Sequence, residues 1–243
     1  MRTLTFASRN TKEILRDPLN LAFGLGFPVV LLLLLSAIQS SIPVSLFEIN
    51  KLAPGICVFG LSFMTLFSAT LISKDRASAL IERLYTTPMR SSDFILGYTL
   101  PLVPISVLQS IFCYTVAALL GLKLSLNILY SLVFIVPISV IFIALGLLFG
   151  SILNDKQVGG ICGALLTNLS AWLSGTWFDL ELVGGAFKKI AYALPFVHAV
   201  EMERAVLAGN FAGVFPHLWW VLGYAIGALA VAVVLFLRQM KRR

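Results

Sequence analysis

Charge is what this chain has least of. Of its 243 residues only 12% are Asp, Glu, Lys or Arg, while 59% are hydrophobic and the mean hydropathy is +0.96. An ordinary soluble domain carries charge on about a quarter of its residues, so a water-soluble fold is excluded. Cysteine is scarce too: Cys57, Cys113 and Cys162 fall inside apolar runs with no CxxC or Cys/His spacing. They read as small packing residues and say little about redox compartment. No GxxxxGK[ST] phosphate loop occurs, so the chain lacks that means of binding ATP. The first apolar run starts near Leu19, behind a basic helix-like segment, and no small-residue cleavage site follows it, which argues against a removable signal peptide.

A bilayer core about 30 Å thick needs about 20 apolar residues per helix. Six runs qualify: 19–39, 52–73, 94–121, 127–153, 157–176 and 215–237. The chain therefore reads as an all-α polytopic membrane protein, one transmembrane domain over 1–243. None of the six runs carries Asp, Glu, Lys, Arg or His in its middle. Such residues mark proton relays, ion-coupling sites and voltage sensors. Their lack argues against an ion-coupled secondary transporter, which stands as an alternative; energy for transport has to come from outside the chain.

The polar groups left inside the runs are mild: Gln109 in the third, and Thr167, Asn168 and Ser170 in the fifth. Interhelical hydrogen bonding is the first reading for them and lining a pathway the second. Gly146–Gly150, Gly159–Gly163 and Gly223–Gly227 are GxxxG spacings that allow close helix packing. A rhomboid-like intramembrane hydrolase is the other alternative, with Ser174–Gly175 and His198 or His217 as its pair. Against it, Trp172 stands where a glycine is expected, and both histidines fall at or beyond the span ends.

The net charge of +7 has to be sorted by side before it says anything about partners. With the N-terminus cytoplasmic, thirteen basic residues fall inside (Arg2, Arg9, Lys12, Arg16, Lys74, Arg76, Arg83, Arg90, Lys156, Arg238, Lys241, Arg242, Arg243) and five outside (Lys51, Lys123, Lys188, Lys189, Arg204). The positive-inside rule favours this orientation, with both termini cytoplasmic. The basic excess then belongs to the membrane lipid, and no nucleic-acid partner is expected.

Three segments outside the runs carry pattern. In 73–90, SKDRASALIERLYTTPMR, the residues Ala77, Leu80, Ile81, Leu84 and Tyr85 make one apolar stripe, with Asp75, Arg76, Glu82 and Arg83 opposite and Pro88 as a stop. This predicts an amphipathic helix over 75–87 within a cytoplasmic loop, 74–92. Its mixed charges suit a groove on a protein better than an anionic bilayer. At 1–18, Arg2, Arg9 and Arg16 recur every seven residues with Lys12 beside them, and Leu4, Ala7, Ile14 and Leu15 lie largely opposite: an interfacial helix. The outer segment, 177–214, is too apolar for a free loop, yet Pro195 and its charges prevent a clean span. Two short helices, 186–194 and 196–208, folded back into the outer leaflet fit it, with Glu201 and Arg204 as an i, i+3 pair. Trp172, Trp177, Trp219 and Trp220 fit aromatic belts.

The order of these features, with the stretches RNTKEILRDPLNLAFGLGFPVVLLLLL, DRASALIERLYTTPMRSSDFILG and SGTWF followed by IAYALPFVHAVEMERAVLAG, resembles the transmembrane subunits of ABC type-2 exporters over nearly the whole chain. Where that family often has Gly-Thr before its ERL motif this chain has Ala79–Leu80, an expected acidic residue is Ser78, and the proline usual after the aromatic pair is Asp179. The resemblance implies a permease, not an enzyme: two copies, or one copy with a similar second permease, form the pathway. Separate cytoplasmic ATPase subunits supply the energy. No cofactor is expected in this chain, Mg-ATP lying on the partner. The helix holding Asp75, Arg76, Leu80, Ile81, Glu82, Arg83 and Leu84 would couple to that partner, braced by the N-terminal helix. Spans two and five would form much of the pathway and the hairpin its lid. An apolar or amphipathic cargo and a bacterial inner membrane are expected.

Overall fold

A computed structural model of the chain describes residues 2–43, 47–87, 89 and 91–241, with the side chains of Glu82, Tyr85, Ser91, Phe236, Leu237 and 239–241 left aside. Pro88, Arg90, Arg242 and Arg243, which the sequence reading used, lie outside the described residues, as does the side chain of Glu82. Every regular element among the described residues is helical. In order these are α1 (Arg2–Leu15), α2 (Pro18–Leu21), a π-helical turn (Ala22–Gly26), α3 (Phe27–Ser41), α4 (Ile49–Ala77), α5 (Leu80–Tyr85), α6 (Ser91–Thr99), α7 (Leu102–Leu119) and α8 (Leu126–Ile152). There follow α9 (Asp155–Val158), a π-helical stretch (Gly159–Leu166), α10 (Thr167–Leu173), α11 (Leu180–Val183), α12 (Gly185–Tyr192), α13 (Pro195–Leu207) and α14 (Phe211–Lys241).

Five helical stretches are long and apolar enough to cross a membrane: Pro18–Ser41, Ile49–Ala77, Ser92–Leu119, Leu126–Ile152 and Phe211–Leu235. The segment expected as a crossing at 157–176 is helical from Asp155 to Leu173. It opens on Asp155, Lys156 and Gln157 and carries Thr167 and Asn168, which keeps its apolarity below that of the other five.

The bundle is arranged around α4. Its membrane-length window is 89% buried, against 17% for both Pro18–Ser41 and Phe211–Leu235, so the second span is enclosed by protein and the first and last face outward. What holds α4 to α8 is small residues. A Cβ on Gly146 would lie 2.5 Å from the Ser68 Cβ, and one on Gly150 would lie 2.8 Å from the Ala69 Cα. The Thr65 and Ser68 hydroxyls donate across the seam to the carbonyls of Phe142 and Ile143, at 2.8 and 3.3 Å. Close backbone approach plus such bonds is how spans associate where water cannot drive them together. The other two GxxxG spacings do not pack this way: Gly159, Gly223 and Gly227 have open space where a Cβ would go.

The two ends of the bundle differ. One, the amino-terminal end, gathers α1, the last turn of α4, α5, α6 and the end of α8. The other, the hairpin end, gathers α11 to α13 with the beginnings of α4, α8 and α14. The folded-back helices begin and stop close to the sequence expectation, since Pro195 starts α13 at its first turn and Gly209, at φ +74, follows its end. Of the tryptophans expected in aromatic belts, Trp172 is exposed at the end of α10, as are Trp219 and Trp220 near the start of α14.

Candidate functional site

The charged stretch after the second span divides differently from the pattern in the sequence. α4 runs unbroken through Lys74, Asp75 and Arg76 to Ala77, and a separate short helix, α5, starts at Leu80. Between them Ser78 N–H bonds back to the Lys74 carbonyl at 2.9 Å, and Ala79 takes φ +55. A left-handed conformation on a residue with a Cβ costs roughly 1–2 kcal/mol, and periodicity alone cannot reveal it, because the apolar stripe continues in phase across the break. The helix expected over 75–87 is therefore six residues long. It anchors through Ile81, buried in the core, with Leu80 and Leu84 half-buried and Arg83 exposed.

Asp75 and Arg76 consequently serve α4. Asp75, expected on a solvent-facing side, is 2% exposed. Its Oδ2 accepts from Arg9 Nη1 at 2.6 Å and from the Tyr98 hydroxyl at 2.9 Å. Arg76 donates to the Gly150 and Leu153 carbonyls, at 2.9 and 3.1 Å, and so satisfies the end of α8. Lys74 pairs with Asp17 at 3.5 Å.

α1 is held along the same end. Its buried face is Phe6, Ala7, Asn10 and Ile14, while Leu4 and Leu15, expected on the apolar side, are exposed. Gly97 of α6 gives the reason: a Cβ there would come within 2.2 Å of the Phe6 ring, so Phe6 sits in a slot only glycine leaves open. Phe6 also meets Tyr98 edge-on, with centroids 5.0 Å apart, and Asn10 Nδ2 donates to the Gly97 carbonyl at 2.9 Å. Of the four basic residues expected at the interface, Arg9 turns to Asp75, and Lys12, Arg16 and Arg9 line one open groove on α1. Arg2 begins the helix and is exposed.

The hairpin end is tied by one guanidinium. Arg204 reaches Glu201 at 2.8 Å, the Gly175 carbonyl at 2.9 Å and the Lys51 carbonyl at 3.3 Å, which links α13 to the loop after α10 and to the start of α4. The pair expected from the i, i+3 spacing is present, with two further contacts that spacing does not announce. Behind it, His198 Nε2 bonds to the Tyr192 carbonyl at 3.0 Å, and its Nδ1 faces the Nδ1 of His217 at 2.9 Å. Nε2 can only donate to a carbonyl, so neutral His198 accepts at Nδ1 and His217 donates. Trp220 stacks on His198 at 4.7 Å, and the Tyr224 hydroxyl bonds to the Ala193 carbonyl. The elbow between α12 and α13 is thus fastened to α14. In front of α13 opens a cleft of about 950 Å³, lined among others by Glu48, Lys51, Trp177, Tyr192, Glu201 and Arg204.

The polar residues of the spans are not gathered into one site. Gln109 is buried against Gly60 of α4, its amide donating to Cys113 Sγ at 3.2 Å. Thr167 and Ser170 are buried and Asn168 is exposed, and all three bond to carbonyls of their own helical segment. Among the described residues these three make no bond to another helix. The Ser174 hydroxyl bonds to Thr176 at 2.7 Å and to the Ala171 carbonyl at 3.0 Å, while each imidazole bonds elsewhere. No Ser–His pair is assembled. Sequence reasoning missed Glu203, which is 0% exposed; its Oε2 accepts from the Tyr114 hydroxyl at 3.0 Å. A signal for it existed, because Phe196, Ala199, Glu203 and Val206 share one helix face and the other three are buried apolar residues.

Two comparisons bear on the chain as a whole. Nodulation protein J of Rhizobium leguminosarum bv. viciae is 27% identical over 128 residues, a stretch covering 52% of this chain and 49% of that protein, so the likeness spans about half the length of each. The model of the family described as ABC-2 type transporter matches residues 1–208, which takes in α1, the charged end of α4, α5 and the whole folded-back hairpin. The chain is a multi-pass membrane protein that belongs to the ABC-2 type transporter family.

Proposed function

We propose that this chain is the permease subunit of an ATP-driven exporter. It works as a pair of copies, or with a similar second permease, beside separate cytoplasmic ATPase subunits that hold Mg-ATP. Six crossings, including the segment 155–173, place both termini in the cytoplasm of a bacterial inner membrane, as the distribution of basic residues favours. Residues 1–18 lie along the inner surface, 74–92 contact the motor, and 177–214 form the outer lid. The cargo is apolar or amphipathic, in keeping with spans that carry no charge at their middle.

One observation carries this reading. A short helix with an exposed Arg83 stands off the most buried span across a single strained residue, Ala79, and is pinned to the core by Ile81. A push on α5 from a partner acts on α4, and α4 meets α3, α7, α8, α10 and α13. Leu84, Arg83 and Glu82 give the partner apolar and charged grips, while Arg76 and Asp75 transmit load inside the chain by fixing α4 to α8 and α1. Motion of α4 reaches the hairpin end through the Lys51 carbonyl and Arg204.

Replacing Glu82, Arg83 and Leu84 together by Ala is expected to abolish export and substrate-stimulated ATP hydrolysis while membrane insertion and folding persist. Normal export by that variant would overturn the assignment. Purification of an active transporter with no ATPase subunit would overturn the class and restore the ion-coupled alternative.

A further inference from the structure

Glu203 is the one carboxylate of the hairpin that enters the core, and its surroundings are unusual for an anion. It is fully buried where α13 meets α4 and α8, with Tyr114 of α7 against it. Oε2 has the Tyr114 hydroxyl, but Oε1 has no hydrogen-bond partner among the described residues, and neither has the buried hydroxyl of Ser131 in α8, which lies within interaction range. No cation faces it. From α7 the titratable neighbour is Tyr114, with Cys113 beside it; from α4 it is Cys57. α8 brings Ser131 alone. On α13 itself Glu201 is taken by Arg204, whose other donors go to main-chain carbonyls, and His198 faces His217 of α14. Tyr224 of α14 bonds the Ala193 carbonyl, Lys188 of α12 pairs with Glu181, and α10 holds no titratable group.

An unpaired carboxylate in such a place is strongly disfavoured, whereas the neutral acid both accepts at one oxygen and donates from the other. We propose that Glu203 is a proton-binding site, and that the bound proton seats α13 among the spans: with the proton on Oε1, the acid donates toward Ser131 and accepts from Tyr114, so both orphaned atoms are satisfied. Burial pushes the Glu203 carboxyl up to about 8, while the bonds from Tyr114 and Ser131 pull the other way without prevailing. A solvated glutamate titrates near 4.3.

A proton site of this kind is linked to the position of the helix. Lifting α13 into water returns Glu203 to its ordinary range, so at neutral pH each lifting releases one proton to the outer side and each seating takes one up. The seated state binds the extra proton only between about pH 4.3 and about 8. Preference for it is therefore greatest at the acid limit, falls about tenfold per pH unit through that window, and is constant above it. The consequence for transport rests on the reading of the hairpin as a lid; the proton site does not.

Infrared titration of the full chain in lipid nanodiscs tests the site. A protonated-carboxyl carbonyl band is expected at pH 6, lost with a midpoint near 8 and absent from Glu203→Gln. Absence of the band, or a midpoint in the ordinary carboxylate range, overturns the proposal. Tyr114→Phe removes a bond to the anion and is expected to raise the midpoint; an unmoved midpoint removes Tyr114 from the site. Hydrogen exchange of 195–207, corrected for its intrinsic pH dependence, tests the linkage: it should rise from pH 6 to 8 in the native chain and stay flat in Glu203→Gln. Equal slopes overturn it. None of these readouts needs an ATPase, so failure of the exporter reading would leave them unchanged.

Discussion

Asp75 and Glu203 are both nearly inaccessible carboxyl groups, at opposite ends of one bundle, and the protein treats them in opposite ways. Asp75 meets Arg9 at 2.6 Å, with Tyr98 as second donor, and so fastens α1 to the central helix. Glu203 has a tyrosine and a serine around it and no cation. Only the carboxylate of the Asp75–Arg9 pair is buried, the Arg9 side chain being 38% exposed, so losing Arg9 strands a charge in the core. Burying a lone acid leaves a joint whose strength follows the proton. The amino-terminal end is built to hold, and the hairpin end to let go.

Four substitutions sharpen or break that contrast. Arg9→Ala leaves Asp75 buried without its countercharge and is expected to cost about 3 kcal/mol. A lowered unfolding midpoint in detergent, with proteolysis starting in α1, checks it; an unchanged midpoint would make the pair ornamental. Next, the same chemical change is applied to both acids at pH 7. Asp75→Asn removes half of an ion pair and should cost about 2 kcal/mol, whereas Glu203→Gln, which resembles the protonated acid, should stay within about 0.5 kcal/mol. Equal losses would erase the distinction between the ends. Last, Ala79→Gly relieves the left-handed strain beside α5 and should raise stability by about 1 kcal/mol. A decrease would show that Ala79 makes contacts worth more than its strain.

How legible all this was depends on what kind of physics set each feature. The spans follow from composition, and the hairpin boundaries follow from Pro195 and the residues around Gly209, because apolar length and proline act locally. The junction at Ser78–Ala79 was not legible: Ala77, Leu80 and Ile81 stay in helical phase across it, and only a dihedral angle marks the break. Asp75 reads as solvent-facing until its partner arrives from 66 residues away. The candidate residues Thr167, Asn168 and Ser170 were identified by type, but the face each presents could not be read through a stretch that is not α-helical. Absence misled as well: the spans do lack charge at their middle, yet α13 delivers a carboxyl into the core from outside them.

The π-helical stretch at Gly159–Leu166 has a consequence for length. Hydrogen bonds from i to i+5 take in one residue more per turn than those of an α-helix, so this segment holds slack that the α-helical spans lack. Deleting one residue between Gly159 and Gly163 would let it tighten into regular α-helix, absorbing much of the roughly 100° turn that loss of an α-helical residue imposes on everything beyond. The same deletion at Gly146 would throw α8 out of step with α4 along the whole seam.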